Sequence, residues 1–565
     1  MINRKLYLHY LGLTGVITLG AILRFWHLDL KPLWLDEIIT AIFSFGKNYR
    51  DLPLYVVFPL HQLQEVFTFQ PGVSCSQIAE NLASYSTHPP LFFCGMYSWL
   101  GWLNPLGTTD WVTKLRSLSV LFGVAAIMAI YGVNSIAFSP AAGILAALFM
   151  ALSPFAVYLS QEARHYTLPM LLIILSLFLL IKIQQDIFTK QRVRFGVWLL
   201  WSIINSLGLY IHYFFSIAFS AEIATLLLII YYGRTKIINL RQICLYLIIS
   251  TCGVIISYIP WLLAVFSRFR SSDTNWLPSP HHLEPIYHTL INWALMIISL
   301  PVENQPIGIV VICGFLMVVF TIWVGIQVFA SLKLLWSQST THLSTLILLS
   351  FTFLVLFQFF IIAYLLGKDI TLVPRYSFVY YPGFCALLAA SLEKIRTTKF
   401  IFLIVGIISC IFVVNNLSFQ KPFLPDIVAK NMNLEADIPL MLVIKYDNYQ
   451  DVAAGLSFAL ALEKLRNHEI QNEFNTLNKD SLAFVYKSAD LSSLGNKVTK
   501  FYQFHKSRFN VWFVGSGMRK KDYAAQLTIA GQINCDIEST QHYRIGQFPY
   551  QLYRCEKREQ VTGDR

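Results

Sequence analysis

Charge is what this sequence has least of. Only 13% of its 565 residues are Asp, Glu, Lys or Arg, while 56% are hydrophobic. A soluble domain carries about 25% charged residues, so a soluble globular class is excluded. Cysteine pairing motifs are missing too. The nine cysteines are scattered, with no CxxC pair and no Cys/His spacing suited to zinc. The nearest approach to a dinucleotide fingerprint is Gly515-Ser516-Gly517, which lacks the GxGxxG that cradles a pyrophosphate. There is no internal repeat and no low-complexity tract. No small-residue cleavage site follows the first apolar segment, so that segment is expected to stay as a helix. The formal charge of +12 would suit nucleic acid, but the basic residues lie in short loops between apolar runs, as in membrane proteins with basic cytoplasmic loops.

What is there is a series of apolar runs of about twenty residues, the length that crosses a bilayer. Arg4 and Lys5 precede the first, 6–26, and put the N-terminus in the cytoplasm. The run 91–103 is short: about 22 Å of helix against about 30 Å of hydrocarbon. If it does not span, crossings follow at 115–137, 141–159, 166–183, 195–210, 214–232, 243–263, 307–332, 345–366, 376–392 and 400–414. Lys182, Lys190, Arg192 and Arg194, then Arg234, Lys236 and Arg241, then Lys333, then Lys394, Arg396 and Lys399 all face the cytoplasm in that topology. The opposite parity turns them all outward, which the rule disfavours.

The expected fold is an all-α polytopic membrane bundle of about eleven transmembrane helices, followed by a C-terminal α/β extracytoplasmic domain. The expected partition is 1–416 and 417–565. The first part includes an extracytoplasmic loop with interfacial helices (27–114) and a long outer loop (267–305). The second is polar, with strand-like runs at 440–444, 482–486, 511–514 and 551–555 alternating with helix-like stretches at 452–465 and 520–530. Cys535 and Cys555 fall in this domain, where an oxidising compartment would allow them to pair.

Polar islands beside the apolar runs carry the chemistry. Asp36 and Glu37 follow the first crossing, where paired carboxylates are costly to hold near lipid, and Trp26 and Trp34 bracket them like interfacial anchors. The topology, set from the basic loops alone, brings Asp36, His88, Glu162, Arg164, His212 and Arg375 to the outer side.

Four islands resemble, in order and spacing, the motif series of the membrane glycosyltransferases of the C-type fold. They are Trp34-Leu35-Asp36-Glu37, His88-Pro89-Pro90-Leu91, Gln161-Glu162-Ala163-Arg164-His165-Tyr166 and Pro374-Arg375-Tyr376. The branch is that of the dolichyl-phosphate-mannose protein mannosyltransferases and the bacterial aminoarabinose lipid A transferase. The resemblance spans 6–392. The C-terminal domain lies outside it, and His165 stands where Met usually precedes the Tyr. What the resemblance implies is transfer of a hexosyl or pentosyl group, with inversion, from a polyprenyl-phosphate donor to an acceptor hydroxyl. The acceptor is a lipid, glycan or protein, and no nucleic acid is involved. The setting implied is a bacterial plasma membrane, with the site and the C-terminal domain facing the periplasm or exterior.

The residue chemistry fits that expectation. A hydroxyl attacking an anomeric carbon needs a base, and Asp36 is assigned to it, with Glu37 and Glu162 orienting. A lipid-phosphate leaving group needs cations rather than an acid, and Arg375, Arg164 and Lys368 are the candidates. His88, Gln161, Tyr166, Tyr210, His212 and Tyr376 would line the sugar or acceptor pocket. No cofactor is assigned; a divalent metal, on Asp36 and Glu162 if one binds, is left open. A rival reading, a transporter or flippase for a lipid-linked sugar, needs ionisable groups at mid-membrane, where Glu222 is the candidate. A noncatalytic scaffold would not need the acidic, basic and histidine set.

Overall fold

Each apolar run expected to cross the membrane is helical in the computed structural model. The structure describes residues 2–54, 56–86, 88–103, 110–266, 276–393, 395–470, 480–487, 508–529 and 533–557. The helices are Ile2–Phe25, Trp111–Ala137, Pro140–Leu152 with Pro154–Ser160, Thr167–Phe188, Phe195–Leu209, Phe215–Gly233, Leu240–Phe266, Ile307–Ser337, His342–Leu366, Tyr381–Leu392 and Arg396–Val414. Seven are long and apolar enough to cross a bilayer, eight if the bent pair at 140–160 is one span, while Leu91–Leu103, Phe195–Leu209, Tyr381–Leu392 and Lys399–Val414 are shorter apolar helices. The chain is a multi-pass membrane protein. Thr167–Phe188 lies at the centre of the bundle, with 67% of its apolar window buried, against 6% for Ile307–Ser337, which turns its Ile, Val and Phe side chains outward to lipid.

The chain divides into two compact units. The first comprises 1–30, 74–99 and 110–419; the second comprises 31–73, 100–109 and 420–565. The division departs from the expected cut at 416, because part of the first outer loop folds with the C-terminal chain.

In the first unit, the expected span 141–159 is not one straight helix: it breaks at Ser153 and bends by 60°. Ser153 caps the second half by accepting from the Ala156 amide, and Pro154, which has no amide to donate, sits in its first turn. The break frees carbonyls in an apolar bundle, where unmet backbone groups are costly. Arg24 meets them. Its guanidinium donates to Met150 O at 2.7 Å and Ala151 O at 3.1 Å, while Nε donates to Ser160 Oγ at 3.1 Å. Gly123 lets Ser160 approach, since a Cβ there would collide with the Ser160 hydroxyl. This knot fixes the chain exit that leads into 161–166. A disulfide joins Cys75, opening the helix Cys75–Tyr85, to Cys94 in Leu91–Leu103. Of the outer loop 267–305, residues 267–275 lie outside the described residues, and Glu284–Ile297 is helical.

The second unit is built on a seven-stranded sheet. Its strands are β1 (Val57–Pro59), β2 (Leu440–Tyr446), β3 (Ser481–Tyr486), β4 (Arg508–Gly515), β5 (Gln526–Ile529), β6 (Ile533–Ile545) and β7 (Phe548–Lys557), in the order β1-β3-β2-β4-β7-β6-β5. The β3-β2-β4 core is parallel and the flanking pairs are antiparallel. Helix Tyr449–Ile470 connects β2 to β3, as a parallel pair requires. Two expectations are corrected here. Of the stretch 520–530, expected to be helical, residues 520–529 are not a helix: one 3₁₀ turn, Lys520–Asp522, leads into β5, whose backbone is paired with β6, and residue 530 lies outside the described residues. Residues 57–59, expected among interfacial helices, form β1 and pair with β3. Cys535 and Cys555 are register partners on β6 and β7 and form a disulfide.

Candidate functional site

The polar islands of the first unit come together around three histidines. His88 stands just before Leu91–Leu103, His165 in the turn after Pro154–Ser160, and His212 in the turn between Phe195–Leu209 and Phe215–Gly233. Their rings are in contact: 5.1 Å between the centroids of His88 and His165, and 4.5 Å between His165 and His212. Arg164 Nη2 donates to His88 Nε2 at 3.1 Å, and its guanidinium lies 5.6 Å from the Tyr166 ring. Arg375, from the 3₁₀ segment Pro374–Val379, donates through Nε to the Tyr166 hydroxyl at 3.1 Å. Tyr376 packs edge-on to Phe214 at 4.7 Å, and Phe378 meets His212 at 5.1 Å. Four separate chain segments therefore supply one cluster.

Its electrostatics follow from burial. Burial, then His212, Arg164, His88 and Arg375, hold His165 well below the usual histidine range. Burial, then His88 and Arg164, do the same for His212. Both imidazoles are neutral at physiological pH, so the permanent positive charge belongs to the two guanidiniums. That arrangement suits a phosphate: planar forks of donors with fixed charge, in a setting of low dielectric.

Other expected residues are placed differently. Gln161 is buried and spends its amide on the end of the first helix, donating to Trp26 O at 2.8 Å. Tyr210 donates to Ser257 O at 2.8 Å on Leu240–Phe266, so its hydroxyl braces two helices. Glu162 is fully buried, and Lys368 is half-buried just past Gly367, the left-handed cap of His342–Leu366. Glu222, the mid-membrane acid, accepts from Ser176 Oγ at 2.5 Å, Trp201 Nε1 at 2.7 Å and Asn205 Nδ2 at 3.4 Å. Donors from two neighbouring helices on one oxygen make it a helix-packing group. Among the described residues no three His, Cys, Asp or Glu side chains are grouped to hold a metal ion.

Asp36 and Glu37 belong to the second unit, in the first turn of helix Leu35–Ser44, where the helix dipole favours carboxylates. Their environments differ. Asp36 is half-buried, and its charge adds to burial in raising the Tyr49 phenol above its usual range. Tyr49 stacks on Tyr449 at 4.4 Å. Glu37 is fully buried and pairs with the equally buried Lys421 at 3.1 Å. Ser457 anchors the start of this helix, donating to Leu33 O at 2.6 Å. Reading the sequence missed Lys421 and the Cys75–Cys94 disulfide. Nothing local marks either; each is defined by a partner brought close only by the fold.

No family model matches the chain, and neither does any curated protein. Solved structures do. ArnT from Cupriavidus metallidurans in the apo state matches with a TM-score of 0.52 at 11% identity, over 96% of this chain and 97% of that one. ArnT from the same organism bound to undecaprenyl phosphate matches with a TM-score of 0.50 at 10% identity, over 98% and 99%. At such identity the likeness is one of fold alone: this chain has the fold of the C-type membrane glycosyltransferases.

Proposed function

From the C-type membrane glycosyltransferase fold, we propose that this chain transfers a sugar, with inversion, from a polyprenyl-phosphate carrier to an acceptor hydroxyl on the extracytoplasmic face of a bacterial plasma membrane. The observation that carries the reading is the cluster of Arg164, Arg375 and Tyr166 with neutral histidines, a set that suits a lipid phosphate. The neighbour bound to undecaprenyl phosphate supports the same ligand class. Two disulfides, Cys75–Cys94 and Cys535–Cys555, fall in segments that the basic-loop topology puts outside, while the free cysteines Cys244, Cys252, Cys313, Cys385 and Cys410 all lie on apolar helices. Disulfides persist in oxidising compartments, which supports that orientation.

In the proposed step the acceptor oxygen bonds to the anomeric carbon and gives its proton to the Asp36 carboxylate. The anomeric carbon–oxygen bond to the lipid phosphate breaks, and the phosphate keeps the electron pair. Arg375 and Arg164 stabilise the charge that develops there, so no general acid is needed. Glu37 and Glu162 act as positioning residues, Lys368 is a further candidate for the phosphate, and His88, His212 and Tyr376 line the pocket. The test is mass spectrometry of cell-envelope glycans and lipids from cells with and without the protein. A glycan or lipid lacking one hexose or pentose in its absence is the expected result; identical profiles would remove the proposal.

A further inference from the structure

The lone pairs of the three clustered histidines can be counted. A neutral imidazole has one N–H and one lone pair. A guanidinium only donates, so His88 Nε2 spends its lone pair on Arg164 Nη2, 3.1 Å away. His212 Nδ1 spends its own on the Phe214 backbone amide at 2.9 Å. His165 differs. It is 0% exposed, and among the described residues neither of its ring nitrogens has a hydrogen-bond partner. An unmet buried donor or acceptor destabilises the fold. Its neutral state follows from burial and the surrounding His212, Arg164, His88 and Arg375, so the lone pair is present at physiological pH. Two of the donors around it are aimed elsewhere, Arg164 Nη2 at His88 and Arg375 Nε at the Tyr166 hydroxyl. An ionised phosphate could meet the His165 N–H but has no proton for the lone pair. A hydroxyl has one.

We propose that His165 is a specificity residue that accepts a hydrogen bond from one hydroxyl of the transferred sugar, reached when the half-buried His88 ring turns aside. The inference rests on the polyprenyl-phosphate-sugar reading above and adds to it which chemical group of the donor is read. A site built to bond a substrate hydroxyl rejects the analogue lacking it by about 10⁴–10⁵-fold, because the buried acceptor is then left unpaired.

The experiment uses the purified full chain and an envelope acceptor fraction, with neryl-phosphate-linked glucose, mannose and galactose and the monodeoxy derivatives of each. Release of neryl phosphate is followed to give kcat/KM for wild type, His165→Phe and His165→Gln. Wild type is expected to reject one deoxy position by about 10⁴-fold. His165→Phe should bring that ratio close to one by losing turnover on the parent sugar, and His165→Gln, which keeps an acceptor, should restore part of it. His165→Phe should melt at the same temperature as wild type or higher, since it removes two unmet buried nitrogens. An unchanged ratio at every position in His165→Phe overturns the proposal. A variant that melts lower or does not fold overturns it too, since His165 is then a structural group. If wild type releases neryl phosphate from no donor, the donor reading itself falls, and the inference with it.

Discussion

Asp36 and Glu463 show what one carboxylate's surroundings decide. Asp36 is half-buried in the first turn of its helix. If it is the base, Asp36→Asn keeps the shape and removes the acceptor, and turnover falls by about 10²–10⁴-fold with folding unchanged. Transfer from a purified polyprenyl-phosphate donor at matched folded protein checks this; near-normal turnover would return Asp36 to a capping role. Glu463 is buried and accepts from Gln64 Nε2 at 2.6 Å. Burial outweighs that bond and pushes its pKa up from 4.5 to about 7. The folded state therefore keeps a proton that the unfolded chain has lost. The stability it contributes is full below pH 4.5, falls as pH rises to about 7, and is flat beyond. Glu463→Gln should remove this slope and leave the variant more stable than wild type at pH 8, by on the order of 3 kcal/mol. Hydrogen exchange in helix Tyr449–Ile470, variant against wild type at pH 5 and pH 8, measures it; equal protection at both values would contradict the assignment. At this scale the sequence made the candidates legible: the acids, arginines and histidines stand out against apolar runs. Which hydrogen bonds they make was not, because Gln161 and Tyr210 donate to backbone carbonyls and Glu222 accepts from neighbouring helices.

Helix Leu35–Ser44 is held by a buried ion pair as well as by apolar packing. Glu37 and Lys421 are both excluded from water, 3.1 Å apart. Removing one partner of such a pair strands the other charge and costs about 3–5 kcal/mol, whereas replacing both by apolar groups is often neutral. Glu37→Gln is therefore expected to lower the thermal midpoint, and Glu37→Leu with Lys421→Met to recover most of the loss. A Glu37→Gln protein as stable as wild type would show that the pair does not hold the helix. Legibility at this scale depended on what fixes each element. Membrane helices are dictated by local apolar runs: each expected run is helical, and seven of the helices, or eight with the bent pair as one, are long and apolar enough to cross a bilayer. The break at Ser153-Pro154 was written in a capping serine and a proline, yet it needed Arg24, from the first helix, to be stable. β5 and β1 were misread because short strands owe their state to pairing partners, β6 and β3, rather than to their own residues.

Across the whole molecule, hydropathy marked the multi-pass bundle, and composition marked the polar C-terminal domain. The domain boundary was less visible, since residues 31–73 join residues 420–565 through contacts remote in sequence. The proposed orientation has its own check. Maleimide labelling of intact cells should leave Cys75, Cys94, Cys535 and Cys555 unreactive until a reductant is added from outside; free thiols at these four positions in unreduced, denatured protein would contradict an oxidising side. The central claim is that the carrier–sugar bond is broken by this chain. Purified protein in sealed proteoliposomes, given a radiolabelled polyprenyl-phosphate sugar and an envelope acceptor fraction, tests it most directly. The account predicts release of polyprenyl phosphate with the label appearing on the acceptor in the inverted anomeric configuration, and loss of both with Asp36→Asn. Movement of the intact donor across the bilayer, with no polyprenyl phosphate released, would contradict it.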